Sequence, residues 1–325
     1  MKKLFILAAA IVAFASCSKE PETIVNDGSI KFAMAKTRAG VTTTENLADF
    51  TVYGYTENAK DVNIFNGVIA SDADNNDDVW TTAVTKYWAV DSTYNFFAFY
   101  APTSADDKVN SGSVNVTDNI MTINFTNKNG EVDLVTAASK NVASLYNQST
   151  NTTSLIFKHA LARVAFQFNW ACNTGSGMTI EVTGVKLLGT KGTGVLSVNE
   201  DGGQTWATSG DNIEIAYAAP TTLSEEAPLL PSIDKTSGVG YQYIIPTTGL
   251  QPQIAFTAVV KDKDGQVLKT FDKSTGVNLP QQTYVAGSSY FFTMNINPNF
   301  SEIAFTVEVE EWGNVNGGTI DFGNE

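Results

Sequence analysis

Cys17 ends a run of twelve apolar residues, Leu4 to Ala15, that begins behind Lys2 and Lys3. A basic end, an apolar stretch and the small residues Ala15 and Ser16 before a cutting point make residues 1–16 a secretory signal. Twelve apolar residues are too few to span a bilayer stably. The run ends on cysteine, and FASC (14–17) reads as a bacterial lipobox with Phe14 where Leu is usual. The chemistry is acylation: Cys17 is diacylated and becomes the new N-terminus. Acyl chains contribute about 0.8 kcal/mol per buried methylene, so two or three of them hold an exported chain on a membrane almost permanently. Ordinary signal cleavage, with Cys17 an incidental thiol, is the alternative.

The second addressed position is Arg38 in KTRAG, followed by the small polar stretch AGVTTTE. Arginine occurs only twice in the chain, and Arg163 lies in ALARVAFQF, where a strand hides it from a protease unless the chain unfolds locally. An arginine-specific cut therefore has one accessible address, between Arg38 and Ala39. Simple preference for lysine over arginine is the competing explanation.

Other chemistries are poorly supplied. Cys172 has no partner once Cys17 is acylated, which excludes a disulfide framework. Two cysteines and the single histidine, His159, form no zinc cluster and no nucleophile–base pair with a believable spacing. Carboxylates are plentiful enough for a glycosidase, but nothing marks a particular pair. The acidic loop SDADNNDDVW (71–80) offers Asp72, Asp74, Asp77 and Asp78 to a hard cation such as calcium. It lacks the Gly and the closing Glu of an EF-hand loop, so a solvated loop is the favoured reading, and neither a metal nor a cofactor is expected. His159 has no local carboxylate or nucleophile and reads as a satisfied residue at a domain junction. Trp80, Trp88, Trp170, Trp206 and Trp312 could include a sugar-stacking platform, although strand tryptophans usually belong to cores. The chain is not expected to be an enzyme.

Net charge is −14. A cut after Arg38 leaves fourteen basic against thirty-one acidic residues, a net charge of −17. Phosphate backbones repel such a surface, so nucleic acid is excluded as a partner.

Strands must position these residues. FTVYGY (50–55), YNFFAFYA (94–101), IMTINF (120–125), RVAFQFNW (163–170), TIEVTGVKLL (179–188), YQYIIP (241–246), QIAFTAVV (253–260), YFFTMNI (290–296) and IAFTVEVEEW (303–312) are β-branched and aromatic with stretches of period two. Asp264-Gly265 is a hairpin turn, because both residues tolerate positive φ. Helix is expected only as a turn or two in AASKNVASLYNQ (137–148) and a short piece in TENLADF (44–50). An all-β chain of this length, with 43% hydrophobic residues, suits two sandwiches. A boundary is expected near residue 157, giving an N-terminal domain over 39–157 and a C-terminal one over 158–325.

KYWAVDSTYNFFAFYAP (86–102), EVDLVTA (131–137), LIFKHALARVAFQF (155–168) and the closing VEVEEW (307–312) occur in an order that resembles the Bacteroidales fimbrillins, the FimA-like and Mfa-like subunits of type V pili. The resemblance implies two transthyretin-like β-sandwich domains in tandem. It also implies export as a lipoprotein to the outer membrane, cleavage by an arginine-specific protease, and assembly by donor-strand exchange with other pilus subunits into a fimbrium that supports adhesion.

The ends of the chain point the same way from their own pattern. Within the propeptide (17–38), Ile30, Phe32 and Met34 alternate with Ser29, Lys31, Ala33 and Ala35, so one face of this strand is apolar. Losing such a strand leaves a sandwich open, with edge N–H and C=O groups that accept a strand of matching register. GTIDF (318–322) repeats the pattern of GSIKF (28–32), placing Ile320 and Phe322 where Ile30 and Phe32 stood. The tail 313–325 is thereby a candidate donor, with GNVNG (313–317) as a pliant link; an ordinary edge strand of its own domain is the competing reading. A head-to-tail contact of this kind does not close by symmetry and propagates. Competing roles are a tip or anchor subunit of the same pilus, or a surface lipoprotein that binds or cleaves glycans.

Overall fold

A computed structural model describes residues 27–34, 47, 49–57, 64–72, 79–102, 106–218, 221–233, 240–249, 251–281, 283–297 and 304–311. Among them every regular element is a strand. The first ten are β1 (Lys31–Met34), β2 (Asp49–Thr56), β3 (Phe65–Ser71), β4 (Val79–Thr82), β5 (Thr93–Tyr100), β6 (Lys108–Thr117), β7 (Ile120–Thr126), β8 (Val135–Ala143), β9 (Thr152–Leu155) and β10 (Lys158–His159). Then come β11 (Ala162–Trp170), β12 (Thr179–Asn199), β13 (Gln204–Ala216), β14 (Thr221–Leu223), β15 (Leu229–Leu230), β16 (Gln242–Ile244), β17 (Gln253–Lys261), β18 (Val267–Asp272), β19 (Val277–Asn278), β20 (Ser288–Ile296) and β21 (Ala304–Glu311).

The first sheet runs β10-β8-β5-β2-β3-β4-β1-β9. It turns a corner at the short β3–β4 pairing, where only Ala70↔Thr82 and Ser71↔Thr81 are matched. Beyond that corner β4, β1 and β9 lie over the face of β2 and β5, and a closed aromatic core fills the gap. Period-two alternation explains how β2 and β5 serve two layers at once. Phe50, Val52, Phe96 and Ala98 point into this first core. Tyr53, Tyr55 and Phe97 point the other way, onto Met121, Ile123 and Phe125 of β7 and Leu196 and Val198 of β12.

The third core lies between the second sheet, β15-β11-β20-β21 with β16 on β11, and the near part of the third, β18-β17-β12-β7-β6 with β13 and β14 on β12 and β19 on β17. Val164, Phe166 and Phe168 alternate inward from β11, and Tyr290, Phe292 and Met294 from β20, against Ile180, Val182, Ile254 and Phe256. The first sheet ends with β10 at His159, and the second opens with β11 at Ala162.

β12 joins the halves. Its residues Thr179 to Leu188 pair with β17, and Thr193 to Asn199 pair with β7. One sheet thus backs both the second and the third cores. The Asp264-Gly265 hairpin links β17 to β18, with Gly265 at φ 79°.

One of the two expected helical pieces is corrected, and of the other only the end is described. Residues 137–143 belong to β8, paired with β5 through Ala137↔Ala98 and Ala138↔Phe97. Ladder hydrogen bonds and burial of Val135 and Ala137 outweigh the mild helical preference of alanine. Asn141, at φ 54°, marks a bulge there, and its amide donates to Asn95 Oδ1 at 2.8 Å. In 44–50, Asp49 and Phe50 open β2, while 44–46 and Ala48 lie outside the described residues.

Candidate functional site: an N-terminal strand inside the first core

β1 is flanked on both sides. It runs antiparallel to β4 through Phe32↔Trp80 and Ala33↔Val79. On its other edge it runs parallel to β9 from Lys31↔Thr152 to Met34↔Leu155. The alternation expected of this segment is realised: Ile30 and Phe32 are buried, and Met34 packs partly buried against the same core. Phe32 is fully enclosed, its ring centroid 6.0 Å from Phe50, 5.7 Å from Phe65 and 5.4 Å from Phe96, each in edge-on geometry. Gly54 of β2 makes room for that cluster. A Cβ there would stand 2.9 Å from the Phe96 ring and 3.1 Å from that of Phe65.

The start of β1 is fastened by polar contacts that sequence reading missed. Asp27 Oδ1 accepts from Ser29 N at 3.0 Å, from Ser29 Oγ at 2.5 Å and from Asn151 Nδ2 at 2.8 Å. Those Ser29 hydrogen bonds hold the Asp27 carboxyl below the usual carboxylate range. Ile30 N donates to Lys86 O at 2.7 Å, Trp88 N to Gly28 O at 2.9 Å, and Trp88 Nε1 to Asn151 O at 3.1 Å. Asp-x-Ser is a local turn pattern legible in sequence, but Asn151 is brought in from 124 residues away and left no mark there.

Cys17, Arg38, Ala39, Ile320 and Phe322 lie outside the described residues, as do Asp74, Asp77, Asp78 and Trp312. Arg163 is buried: its Nε donates to Ser289 Oγ at 2.6 Å, and the guanidinium sits 4.4 Å from the Tyr241 ring centroid. His159 is buried and finds its carboxylate at a distance in the chain. Asp133 Oδ2 is 2.7 Å from its Nδ1, supplied by the turn before β8, a pairing across 26 residues. Trp80, Trp88 and Trp170 are buried and offer no free stacking face, while Trp206 is half-buried, with its Nε1 donating to Ala160 O at 2.7 Å. Cys172 is half-buried, and burial pushes its thiol pKa up, away from the reactive thiolate.

A mostly apolar cavity of about 230 Å³ lies in the C-terminal half, lined by Phe166, Phe168, Val182, Tyr217 and Ile233. Tyr217 donates its hydroxyl to Val164 O at 2.9 Å, and burial holds its pKa well above 10. Among the described residues no group of three or more His, Cys, Asp or Glu is placed to hold a metal ion.

The fold is therefore an all-β arrangement of packed sheets in which a segment from upstream of Arg38 completes one wall. The sequence pattern of the fimbrillin-like family matches residues 37–312, and the chain belongs to that family. Its fold is similar to that of a fimbrial protein from Bacteroides vulgatus, at 21% identity and a TM-score of 0.66, over 87% of this chain and 99% of that one. The fimbrial anchor protein Mfa2 from Porphyromonas gingivalis aligns at 13% identity and a TM-score of 0.39, over 87% of this chain and 97% of its own. Among curated protein sequences none matches significantly.

Proposed function

We propose that this chain is a structural subunit of a cell-surface pilus that polymerises by exchanging one β-strand for another. In this reading Cys17 carries the lipid that tethers the precursor to the outer membrane. An arginine-specific protease cuts between Arg38 and Ala39, and β1 departs with the propeptide. The tail 313–325 of another subunit then lies between β4 and β9, with Ile320 and Phe322 in the places of Ile30 and Phe32. Residues 39–157 form the acceptor body, and 158–325 the body that donates.

One observation carries the reading: β1, the only described strand upstream of Arg38, is wedged between two strands with Phe32 at the centre of an aromatic core. Its removal opens two sheet edges and an apolar slot together, which is the combination that recruits a strand. Trypsin-like cleavage at Arg163 is opposed by the burial of that residue. A glycan-binding role has less support, since Trp80, Trp88 and Trp170 are enclosed.

N-terminal sequencing of filaments sheared from cells tests it. The expected N-terminus is Ala39, and Arg38→Ala is expected to accumulate lipidated monomers. Filaments whose subunits retain residues 28–34 would overturn the proposal.

A further inference from the structure

β1 sets a direction as well as a slot. A strand that copies its register runs parallel to β9, so it enters at the pole where Gly28 lies. In the donating copy, β21 ends at Glu311 and six residues, 312–317, precede Gly318. Seven Cα steps of at most about 3.6 Å bring Glu311 within roughly 25 Å of that pole. The body of the donor must therefore stand against the Gly28 end of its acceptor.

That end carries an apolar patch. Val84, Tyr87, Val90 and Tyr146 are 60%, 61%, 60% and 44% exposed. They gather there because of the backbone. Tyr87 bridges to Ser29, and Ser144 N donates to Ser92 O at 2.9 Å, which joins the turns that carry Val90 and Tyr146. The segment 83–91 has one lysine and one aspartate, so it is locally neutral on a chain whose processed form has fourteen basic against thirty-one acidic residues. Copies so acidic repel one another except where charge is absent.

Resting on the strand-exchange reading, we propose that the Val84–Tyr87–Val90–Tyr146 patch seats the body of a second copy of this chain, the one whose tail fills the slot. The seat is the waist of the donor beside the end of β21. There Glu311 pairs with Ser288, whose amide donates to Val285 O at 3.2 Å, and Val285 lies on an open cleft of about 360 Å³ with Trp206 and Pro246. Strand and patch then form two contacts on one axis, the second fixing the angle that a flexible link leaves free.

The test is the triple variant Val84→Asp/Val90→Asp/Tyr146→Asp, in exposed positions. The full-length precursor, native and variant, is treated with an arginine-specific protease in the presence of a fluorescent 313–325 peptide, and sheared filaments are quantified in cells. The expected result is peptide binding within about threefold of native with filament yield lowered about tenfold or more. Native filament yield from the variant overturns the proposal. Loss of peptide binding in the variant also overturns it, because the patch then shapes the slot instead of seating a body. Failure of the native protein to bind the peptide removes the strand-exchange reading itself, and the seat with it.

Discussion

Truncating Phe32 to alanine in the precursor tests how far β1 completes the first core. The ring touches Phe50, Phe65 and Phe96 edge-on and is fully enclosed, and neighbours held by two flanking strands have little freedom to collapse into the space. Removal of a buried phenylalanine ring costs about 3–5 kcal/mol. That is two to nearly four orders of magnitude in the folding equilibrium of the N-terminal half. Urea unfolding followed by tryptophan fluorescence reads it directly, because Trp80 and Trp88 share this core. With a slope of about 2 kcal/mol per molar urea, the midpoint falls by roughly 1.5–2.5 M. Lys31→Ala is the control: the Lys31 pair with Asp27, at 3.4 Å and partly exposed, is worth at most about 1 kcal/mol. A loss below about 1 kcal/mol for Phe32→Ala would mean that the core closes without β1, and the argument for a strand-shaped vacancy would fail.

Asp107 is a buried carboxylate that accepts from Lys128 N at 2.5 Å, Asn129 N at 2.8 Å and Glu131 N at 2.6 Å, so Asp107→Ala is expected to cost about 3 kcal/mol in chemical denaturation; a cost near zero refutes a bracing role. The Asp27 carboxyl is held below its ordinary value by the Ser29 hydrogen bonds, so its contribution is present above about pH 4 and is lost as pH falls through the lower folded value. Protection against hydrogen exchange at the Ser29 and Ile30 amides, relative to the unstructured chain at the same pH, should therefore fall in acid, and Asp27→Ala should abolish that fall. At the alkaline end, burial raises Tyr241 and Tyr243 from 10.0 to about 12. The unfolded chain releases those protons first, so stability falls between pH 10 and 12 by about 1.4 kcal/mol per pH unit for each tyrosine. Thermal midpoints across that range should fall less steeply in Tyr241→Phe, and an unchanged slope contradicts the assignment.

Aromatic period-two runs such as YNFFAFYA and RVAFQFNW were legible because both faces of β5, and the inner face of β11, meet other layers. Polar strands were harder to read. β6 (KVNSGSVNVT) and β13 (QTWATSGDNIEIA) look like turn sequence, and only pairing with β7 and β12 makes them strands. The strand read to end at Leu188 continues to Asn199, because Gly189, Gly192 and Gly194 sit inside it, where register shifts against β13 fall between Leu188 and Thr190 and between Lys191 and Thr193. AASKNVA was misread because alanine-rich composition carries no information about the partner strand β5. At the site, the apolar alternation of Ile30, Phe32 and Met34 is local and was visible. Its parallel partner β9, the polar residues Thr152 to Ser154 included, and the Asn151 anchor depend on contacts across more than a hundred residues.

The unbroken course of β12 has a mechanical consequence. At about 3.3 Å per residue its 21 residues extend for roughly 70 Å, less what the bulges take up. In the proposed fibre, drag would enter one half of each subunit and leave by the other. Along β12 that pull meets ladder hydrogen bonds lying crosswise to it, so many must fail at once instead of parting one after another like a zip.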